Sequence, residues 1–167
     1  KDHFRKISLL NTGGTLDGRA GLHIYFLIQA LSLLEKGGRL AFIMPADTCE
    51  GVFSRKLWNW ISRRFCIDGV ITFAHTATPF PGVDTNAVIF LLRNSTPQNT
   101  LKWIRCLAPQ SPQLLDCLKN DCADRPYPDL QMYERDVEEA LSVGLSRMPR
   151  ENYHFEFTLA DFARVMR

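Results

Sequence analysis

Four basic residues occur in a segment whose pattern predicts an amphipathic helix, at about residues 53–65. They lie mostly off the apolar face of that helix and are Arg55, Lys56, Arg63 and Arg64. A basic helix face can contact the phosphates of a nucleic-acid backbone, but it can also be merely solvated. Both interpretations stay open for these residues.

A second group of candidate residues follows a short apolar run that predicts a strand. Pro45, Ala46 and Asp47 stand where this strand should end. In open α/β sheets, ligands bind at the carboxyl ends of parallel strands, so these residues are candidates for lining a substrate pocket. The alternative is a tight exit turn in which Asp47 caps the next helix.

Other residue types that often carry chemistry give little indication of it here. His75 lies in a predicted loop with no carboxylate or cysteine near it in the sequence, so a catalytic base is not expected there. Three tryptophans, Trp58, Trp60 and Trp103, are interpreted as packing residues. The five cysteines have irregular spacings with no zinc-ligand pattern, so we expect reduced structural thiols and no metal site.

Composition places the chain among globular proteins. It has 167 residues, of which 46% are hydrophobic and 23% charged, enough for one domain with a core. The formal charge of +2 is too small to indicate a nucleic-acid partner by itself. No apolar run is long enough to span a bilayer, and no secretory signal is evident, so a soluble cytoplasmic protein without a membrane partner is expected.

The elements that must position the candidate residues follow in the order helix, strand, helix, strand, loop, strand. Helices are predicted over about 21–36 and 53–65, and strands over about 39–44, 67–73, 85–93 and 101–107. The first helix is apolar around most of its circumference, which predicts packing on more than one side. Gly37 and Gly38 are expected to cap it, and the strand after them to be buried on both faces.

This order predicts an α/β fold with a mostly parallel sheet. The last strands have no helix between them, so they are expected to pair antiparallel at one edge. From about residue 108 the composition of the chain changes. Two segments broken by prolines carry helical patterns, at 112–120 and 132–145. The sequence therefore predicts a division into residues 1–107 and a helical connecting segment, 108–167.

Several runs resemble adenine-N6 DNA methyltransferases of bacterial restriction–modification systems. The run GLHIYFLIQALSLLEKGGRLAFIMPAD is similar to the central part of their catalytic domain, where a helix ending in glycines leads into a strand ending in proline. The run TPFPGVDTNAVIFLLRN resembles their Phe-Pro loop and the strand after it. LADFARVMR resembles, more weakly, the junction before their target-recognition domain. The resemblance covers about Gly18 to Asn94 well.

The resemblance implies a partial S-adenosylmethionine-dependent, Rossmann-like sheet. The intact enzyme would transfer a methyl group from S-adenosylmethionine to adenine N6 in DNA by direct attack of the amino nitrogen. The glycine-rich cofactor loop and the Asn-Pro-Pro-Tyr motif of the family have no match in the sequence. We therefore expect the chain to hold the second half of the catalytic domain, with no catalytic residue and no cofactor of its own.

The family also places an aromatic residue against the extruded base, in the loop after its sixth strand. Phe80 occupies the matching position, and Pro81 follows it. The resemblance implies that Phe80 stacks on the target base, while the alternative is a core residue that pins the loop to the sheet. Base–aromatic stacking is worth roughly 1–3 kcal/mol.

Two other functions remain open from the sequence. The acceptor could be RNA or a protein glutamine, because enzymes acting on them share the Asn-Pro-Pro-Tyr motif. Alternatively, the chain is a non-enzymatic orphan or structural subunit. In that case an apolar sheet edge, left where the other half should pair, would bind the N-terminal half or a second copy.

Overall fold

A mixed five-stranded sheet with helices on both faces forms the centre of this computed structural model, which describes residue 6 and residues 20–50, 54–80, 82, 86–121 and 125–149. The strands are β1 (Arg39–Pro45), β2 (Cys66–Phe73), β3 (Ala87–Arg93), β4 (Thr100–Cys106) and β5 (Leu130–Asp136). The helices of the described part are α1 (Leu22–Leu33), α2 (Ser54–Ser62), α3 (Pro112–Lys119) and α4 (Val137–Val143). Short 3₁₀ helices span Ala46–Cys49 and His75–Ala77.

The strand order is β1-β3-β2-β4-β5. β3 pairs antiparallel with both β1 and β2, β2 pairs parallel with β4, and β5 pairs antiparallel with β4. β1, β2 and β4 therefore run in the same direction, so their carboxyl ends meet at one edge of the sheet. That edge is where an open α/β sheet places its ligands.

The larger of two apolar clusters lies between one face of the sheet and α1, α2 and α4. Phe90, in the middle of β3, is fully buried there, and its ring centroid lies 4.3 Å from that of Trp58. A smaller cluster on the opposite face lies under α3 and includes Ile71, Ile104 and Cys117. The predicted α/β fold class is confirmed. The prediction of a mostly parallel sheet is wrong, because β3 lies antiparallel between β1 and β2 and β5 pairs antiparallel with β4, which leaves β2–β4 as the parallel pair among the described strands.

The position of the last strands differs from the prediction. β3 was expected at an edge but lies between β1 and β2, and β4 pairs parallel with β2 rather than antiparallel with β3. Because both sides of β3 are already hydrogen-bonded, β4 has to join the sheet on the free side of β2. The strand order is therefore set by hydrogen bonds between strands that are distant in sequence. The short loop between β3 and β4 does not set it.

The packing of α1 and β1 also differs from the sequence expectation. α1 buries one face, while Leu22, Phe26 and Leu33 stay more than half exposed, so the predicted packing on several sides is not found among the described residues. β1 is an edge strand with Ile43 exposed, rather than a strand buried on both faces. Gly37 takes a left-handed φ of 80°, but in the turn before β1, because α1 already ends at Leu33.

The segment after residue 108 contains a strand that the sequence pattern did not predict. α3 matches the predicted helix at 112–120, but the predicted helix at 132–145 begins as β5 and becomes helical only at Val137. β5 pairs with the free edge of β4 and so extends the sheet, and this pairing outweighs the local preference for helix. The domain division at 107/108 stays a prediction, and residues 151–167 lie outside the described part.

Candidate functional site

A cleft of about 590 Å³ opens where β1, β2 and β4 end. Its lining includes strand residues of β2 and β4 and residues of the connections that follow β1 and precede β3. These residues are Ala46, Asp47, Glu50, Thr72, Phe73, Asn86, Ala87, Val88, Trp103 and Arg105. The segment 146–148, which follows α4, supplies the rest of the lining.

Three residues of β2 and β4 contribute polar groups to the cleft. Thr72 is buried, and its hydroxyl donates a hydrogen bond of 3.3 Å to the carbonyl oxygen of Ile104. Trp103 is 1% exposed, and its indole Nε1–H has no acceptor among the described residues. Arg105 is half-buried, and its Nη1 donates to the Sδ atom of Met148 at 3.6 Å.

One wall of the cleft is an ion pair between Glu50 and Arg147, in which Nε lies 2.8 Å from Oε1. The hydrogen bond from Arg147 lowers the pKa of Glu50, so this carboxylate is ionised at neutral pH. Both residues also line a neighbouring groove of about 740 Å³ between α2 and α4. The ion pair therefore separates the cleft from the groove.

Arg135 holds the segment that covers both cavities. Its side chain is 2% exposed and makes two hydrogen bonds, of 2.7 and 3.0 Å, to one carboxylate oxygen of Glu139. It also donates to the carbonyl oxygens of Arg147, at 2.8 Å, and Gly144, at 3.4 Å. A guanidinium with five donors suits this position because it can bind a carboxylate and two carbonyls at once.

The structure brings two of the residues predicted after β1 into the cleft. Ala46 and Asp47 line it directly, and Pro45 is the last residue of β1, opposite Ala87 of β3. Asp47 was alternatively expected to cap the next helix. It lies instead in the first turn of a 3₁₀ helix that has no side-chain cap hydrogen bond, and its side chain is exposed.

Phe80 lies in the connection between β2 and β3, at the same edge of the sheet. Its side chain is 47% exposed, so it is not the core residue of the alternative interpretation. Its backbone N–H donates a hydrogen bond of 3.3 Å to the Thr78 hydroxyl. Phe80 is not among the residues that line the cleft, and Pro81 lies outside the described residues.

The four basic residues predicted to contact DNA lie towards the two ends of α2. Arg55 lines the groove between α2 and α4, and Lys56 is exposed beside it. Arg63 and Arg64 follow the end of α2, about 12 Å further along a helix of ordinary rise. The guanidinium of Arg64 lies 5.4 Å from the centroid of the Trp60 ring, so part of its role is packing.

The thiols of the described part have the character of structural residues. Four cysteines are buried thiols that form no disulfide among the described residues: Cys49, Cys66, Cys106 and Cys117. Burial raises the pKa of Cys49 to about 11, so its reactive thiolate form is rare at neutral pH. Among residues with described positions, no three His, Cys, Asp or Glu side chains are close enough to bind a metal ion. His75 is exposed in its 3₁₀ helix.

Sequence reasoning missed Thr72, Trp103 and Arg105 as residues of the site. A signal was nonetheless present, because Leu101, Trp103 and Arg105 alternate along β4 and must point to the same face. A charged residue at the end of an otherwise buried strand face indicates a polar opening. The position of β4 beside β2 was needed to show where that opening lies.

The fold of this chain is similar to the folds of restriction–modification proteins. The type IIG restriction endonuclease BpuSI matches with a TM-score of 0.67 at 18% identity, over 86% of this chain and 18% of that one. The type I methyltransferase subunit from Streptococcus thermophilus matches with a TM-score of 0.62 at 14% identity, over 86% and 32%. The DrdV–DNA complex matches with a TM-score of 0.50 at 11% identity, over 99% and 18%.

These matches show the fold. No family model matches the sequence, and no curated protein matches it. The chain spans less than a third of the length of each of the three proteins above. None of the helices with described positions is long and apolar enough to cross a membrane.

The glycines of the described part do not fit the cofactor loop of a methyltransferase. Such a loop follows a strand and opens a helix. Gly37 and Gly38 instead connect α1 to β1, and Gly69 lies inside β2, where an added Cβ would come within 2.9 Å of the Lys102 carbonyl oxygen. These three glycines therefore do not form a loop of that kind.

Proposed function

We propose that this chain is the second half of the catalytic domain of an adenine-N6 DNA methyltransferase from a restriction–modification system. In the intact enzyme, the domain transfers a methyl group from S-adenosylmethionine to adenine N6 in DNA, and this half is inactive alone. The observation that carries the proposal is the half-exposed Phe80 at the carboxyl edge of the sheet. The likeness of this sheet to that of a type I methyltransferase subunit supports it.

The chain's own residues would position the displaced base and the DNA. A base that is methylated on its amino group has to leave the duplex and stack on an aromatic or apolar surface. Phe80 would supply one face for stacking, and Pro81, Pro45, Ala46 and Asp47 are the further residues that would contact the base. The basic residues Arg55, Lys56, Arg63 and Arg64 would contact the phosphates of the duplex.

Replacing Phe80 by alanine is expected to lower methyl transfer by the intact enzyme about 5- to 150-fold, because loss of one stacking partner is worth roughly 1–3 kcal/mol. Phe80→Tyr keeps the ring and should retain most of the activity. The measurement is incorporation of labelled methyl groups into DNA, with RNA and a glutamine-containing protein as parallel acceptors. Methylation of either parallel acceptor in preference to DNA would contradict the proposed substrate.

A matched control separates stacking from the general loss of an exposed apolar residue. Leu115 of α3 is 57% exposed, close to Phe80 in exposure, but it lies on the opposite side of β4 and β2 from the cleft. Leu115→Ala should leave methyl transfer unchanged. DNA carrying 2-aminopurine at the target position gives a second readout, because Phe80→Ala should raise the fluorescence of the displaced base. Equal activity of Phe80→Ala and Leu115→Ala would exclude the stacking role.

A second candidate function, association through the sheet edge, is favoured by the surface around β1. Among the strands of the described part, β1 pairs with β3 alone, so one of its sides offers backbone N–H and C=O groups. Ile43 of β1 is 45% exposed, and α1 exposes Leu22, Phe26 and Leu33. Such an edge pairs readily with another strand. In the intact enzyme the occupant would be the N-terminal half, and for the chain alone a second copy.

We expect the isolated chain to form a dimer or larger oligomer at high concentration. The measurement is sedimentation velocity across a concentration series. A charged residue on the edge disfavours pairing, so Ile43→Lys should shift the chain towards the monomer, whereas Leu115→Lys on α3 should not. A monomer at the highest concentration would exclude association through this surface.

A further inference from the structure

Arg105 occupies an unusual place for an arginine that has no carboxylate partner among the described residues. Its side chain is half-buried in the cleft at the ends of β1, β2 and β4. Its acceptor among the described residues is the thioether of Met148, at 3.6 Å from Nη1. Sulfur is a weak acceptor, and a guanidinium carries five donors in a planar fork. The described residues therefore use little of the hydrogen-bonding capacity of Arg105.

The neighbouring Trp103 carries a second donor of the same kind. Trp103 precedes Arg105 by two residues on β4, so both side chains point to the same face of the sheet. Its Nε1–H is buried and lacks an acceptor in the part of the chain that the structure describes. Buried polar groups in native proteins nearly always have a partner. A donor of this kind beside an arginine favours an oxygen-bearing ligand, which would reach the covered N–H once neighbouring side chains move aside.

The acidic residues of the cleft do not neutralise Arg105. Glu50 is engaged by Arg147, at 2.8 Å. Asp47 is exposed at the rim, where water screens its charge. Arg105 is therefore the cationic side chain of the cleft without an acidic partner among the described residues, and an anion is the ligand that fits it. Arginine binds phosphate particularly well, because two parallel N–H groups match two phosphate oxygens.

We infer that this cleft binds a phosphate group of a nucleic-acid strand, with Arg105 as the charged contact and the indole N–H of Trp103 as a second donor. The inference rests on the proposed function in one respect, which is that the chain meets a nucleic acid. The volume of about 590 Å³ accommodates one nucleotide unit. The cleft shares its edge of the sheet with Phe80, so a strand whose base is displaced there passes close to Arg105.

The test is binding of the whole chain to a fluorescein-labelled single-stranded 12-nucleotide DNA, followed by anisotropy over a range of salt concentrations. Arg105→Gln should weaken binding about tenfold and reduce the salt dependence by about 0.7, the value for one phosphate of a single strand. Arg105→Lys keeps the charge and should restore most of the slope. Arg125→Gln makes the same charge change beside Asp116, on the opposite face of the sheet, and should bind like the wild type.

Trp103→Phe keeps an aromatic ring but removes the N–H donor, so it should weaken binding about two- to fivefold with little change in salt slope, because no charge is lost. Urea unfolding of each variant shows whether the fold is intact. Competition by inorganic phosphate and by adenosine monophosphate at millimolar concentration distinguishes the sources of the phosphate. Displacement of the oligonucleotide by either compound would mean that the site binds a free phosphate group, which contradicts the inference. No displacement would support binding of a phosphate within a nucleic-acid strand.

The outcomes separate this inference from the proposed function. If Arg105→Gln binds the oligonucleotide as Arg125→Gln does, the phosphate site is wrong, whatever the methyl-transfer assay gives. If the wild-type chain does not bind the oligonucleotide at low salt, the phosphate site is again wrong. The methyltransferase proposal is judged separately, by methyl transfer in the intact enzyme and its dependence on Phe80.

Discussion

Removing Glu139 is expected to destabilise the protein more than removing the buried arginine that it binds. Glu139→Ala should lower the free energy of unfolding by about 3 kcal/mol or more, because it leaves the charge of Arg135 buried without a counter-ion. Arg135 is 2% exposed at its side chain, and Glu139 is 43% exposed. Arg135→Met should cost less, roughly 1–3 kcal/mol. Two carbonyl groups lose a donor, but the carboxylate that remains is solvated.

Urea unfolding followed by circular dichroism measures both effects. Glu138→Ala is the matched control, because Glu138 lies beside Glu139 in the first turn of α4 and has the same charge. That change should alter stability only slightly. The double variant Arg135→Met/Glu139→Ala should resemble Arg135→Met, since the uncompensated charge is gone. A loss in Glu139→Ala no larger than in Glu138→Ala would contradict the role of this ion pair.

The ion pair also matters for the cleft. Arg135 donates to the carbonyl oxygens of Gly144 and Arg147, which brings the segment after α4 against the cleft. That segment supplies Met148, the sulfur partner of Arg105, and Arg147, the partner of Glu50. A loss of Arg135 should therefore weaken oligonucleotide binding as well as the fold.

Replacing Phe90 by alanine is expected to lower the free energy of unfolding by about 3–5 kcal/mol. Phe90 is fully buried at the middle of β3, with the Trp58 ring 4.3 Å away between centroids. Alanine leaves a cavity between the sheet and α2 that the surrounding strands cannot close, because β3 is hydrogen-bonded on both sides. Phe90→Leu fills most of this space and should cost less than half as much.

The same urea unfolding assay checks this prediction. Ile43→Ala provides the comparison, because Ile43 lies on the adjacent β1 but is 45% exposed, so its truncation should cost under about 1 kcal/mol. Similar losses for Phe90→Ala and Ile43→Ala would mean that β3 is not the centre of the core. That result would also contradict the strand order on which the position of the cleft depends.

Local sequence patterns predicted most of the elements. The apolar runs of β1 to β4 and the amphipathic pattern of α2 gave the correct type of element, because side-chain periodicity reflects which faces are buried. The proline-flanked Phe80 was expected between β2 and β3, where it lies. Residues 132–136 were predicted wrongly as helix, since their polar composition does not resemble a buried strand, although Arg135 is buried.

The sequence by itself determined the α/β class, the order of elements as far as β4 and the candidates Ala46 and Asp47, because these follow from periodicity and from neighbours in the chain, whereas Phe80 was implied by the resemblance to a family. Tertiary structure alone decided that β3 lies inside the sheet, that β1 is an edge and that Arg105 shares a cleft with Asp47. These facts depend on hydrogen bonds between strands far apart in sequence. Pairing between such distant strands depends on the stability of the whole sheet, so it cannot be predicted from a local sequence pattern.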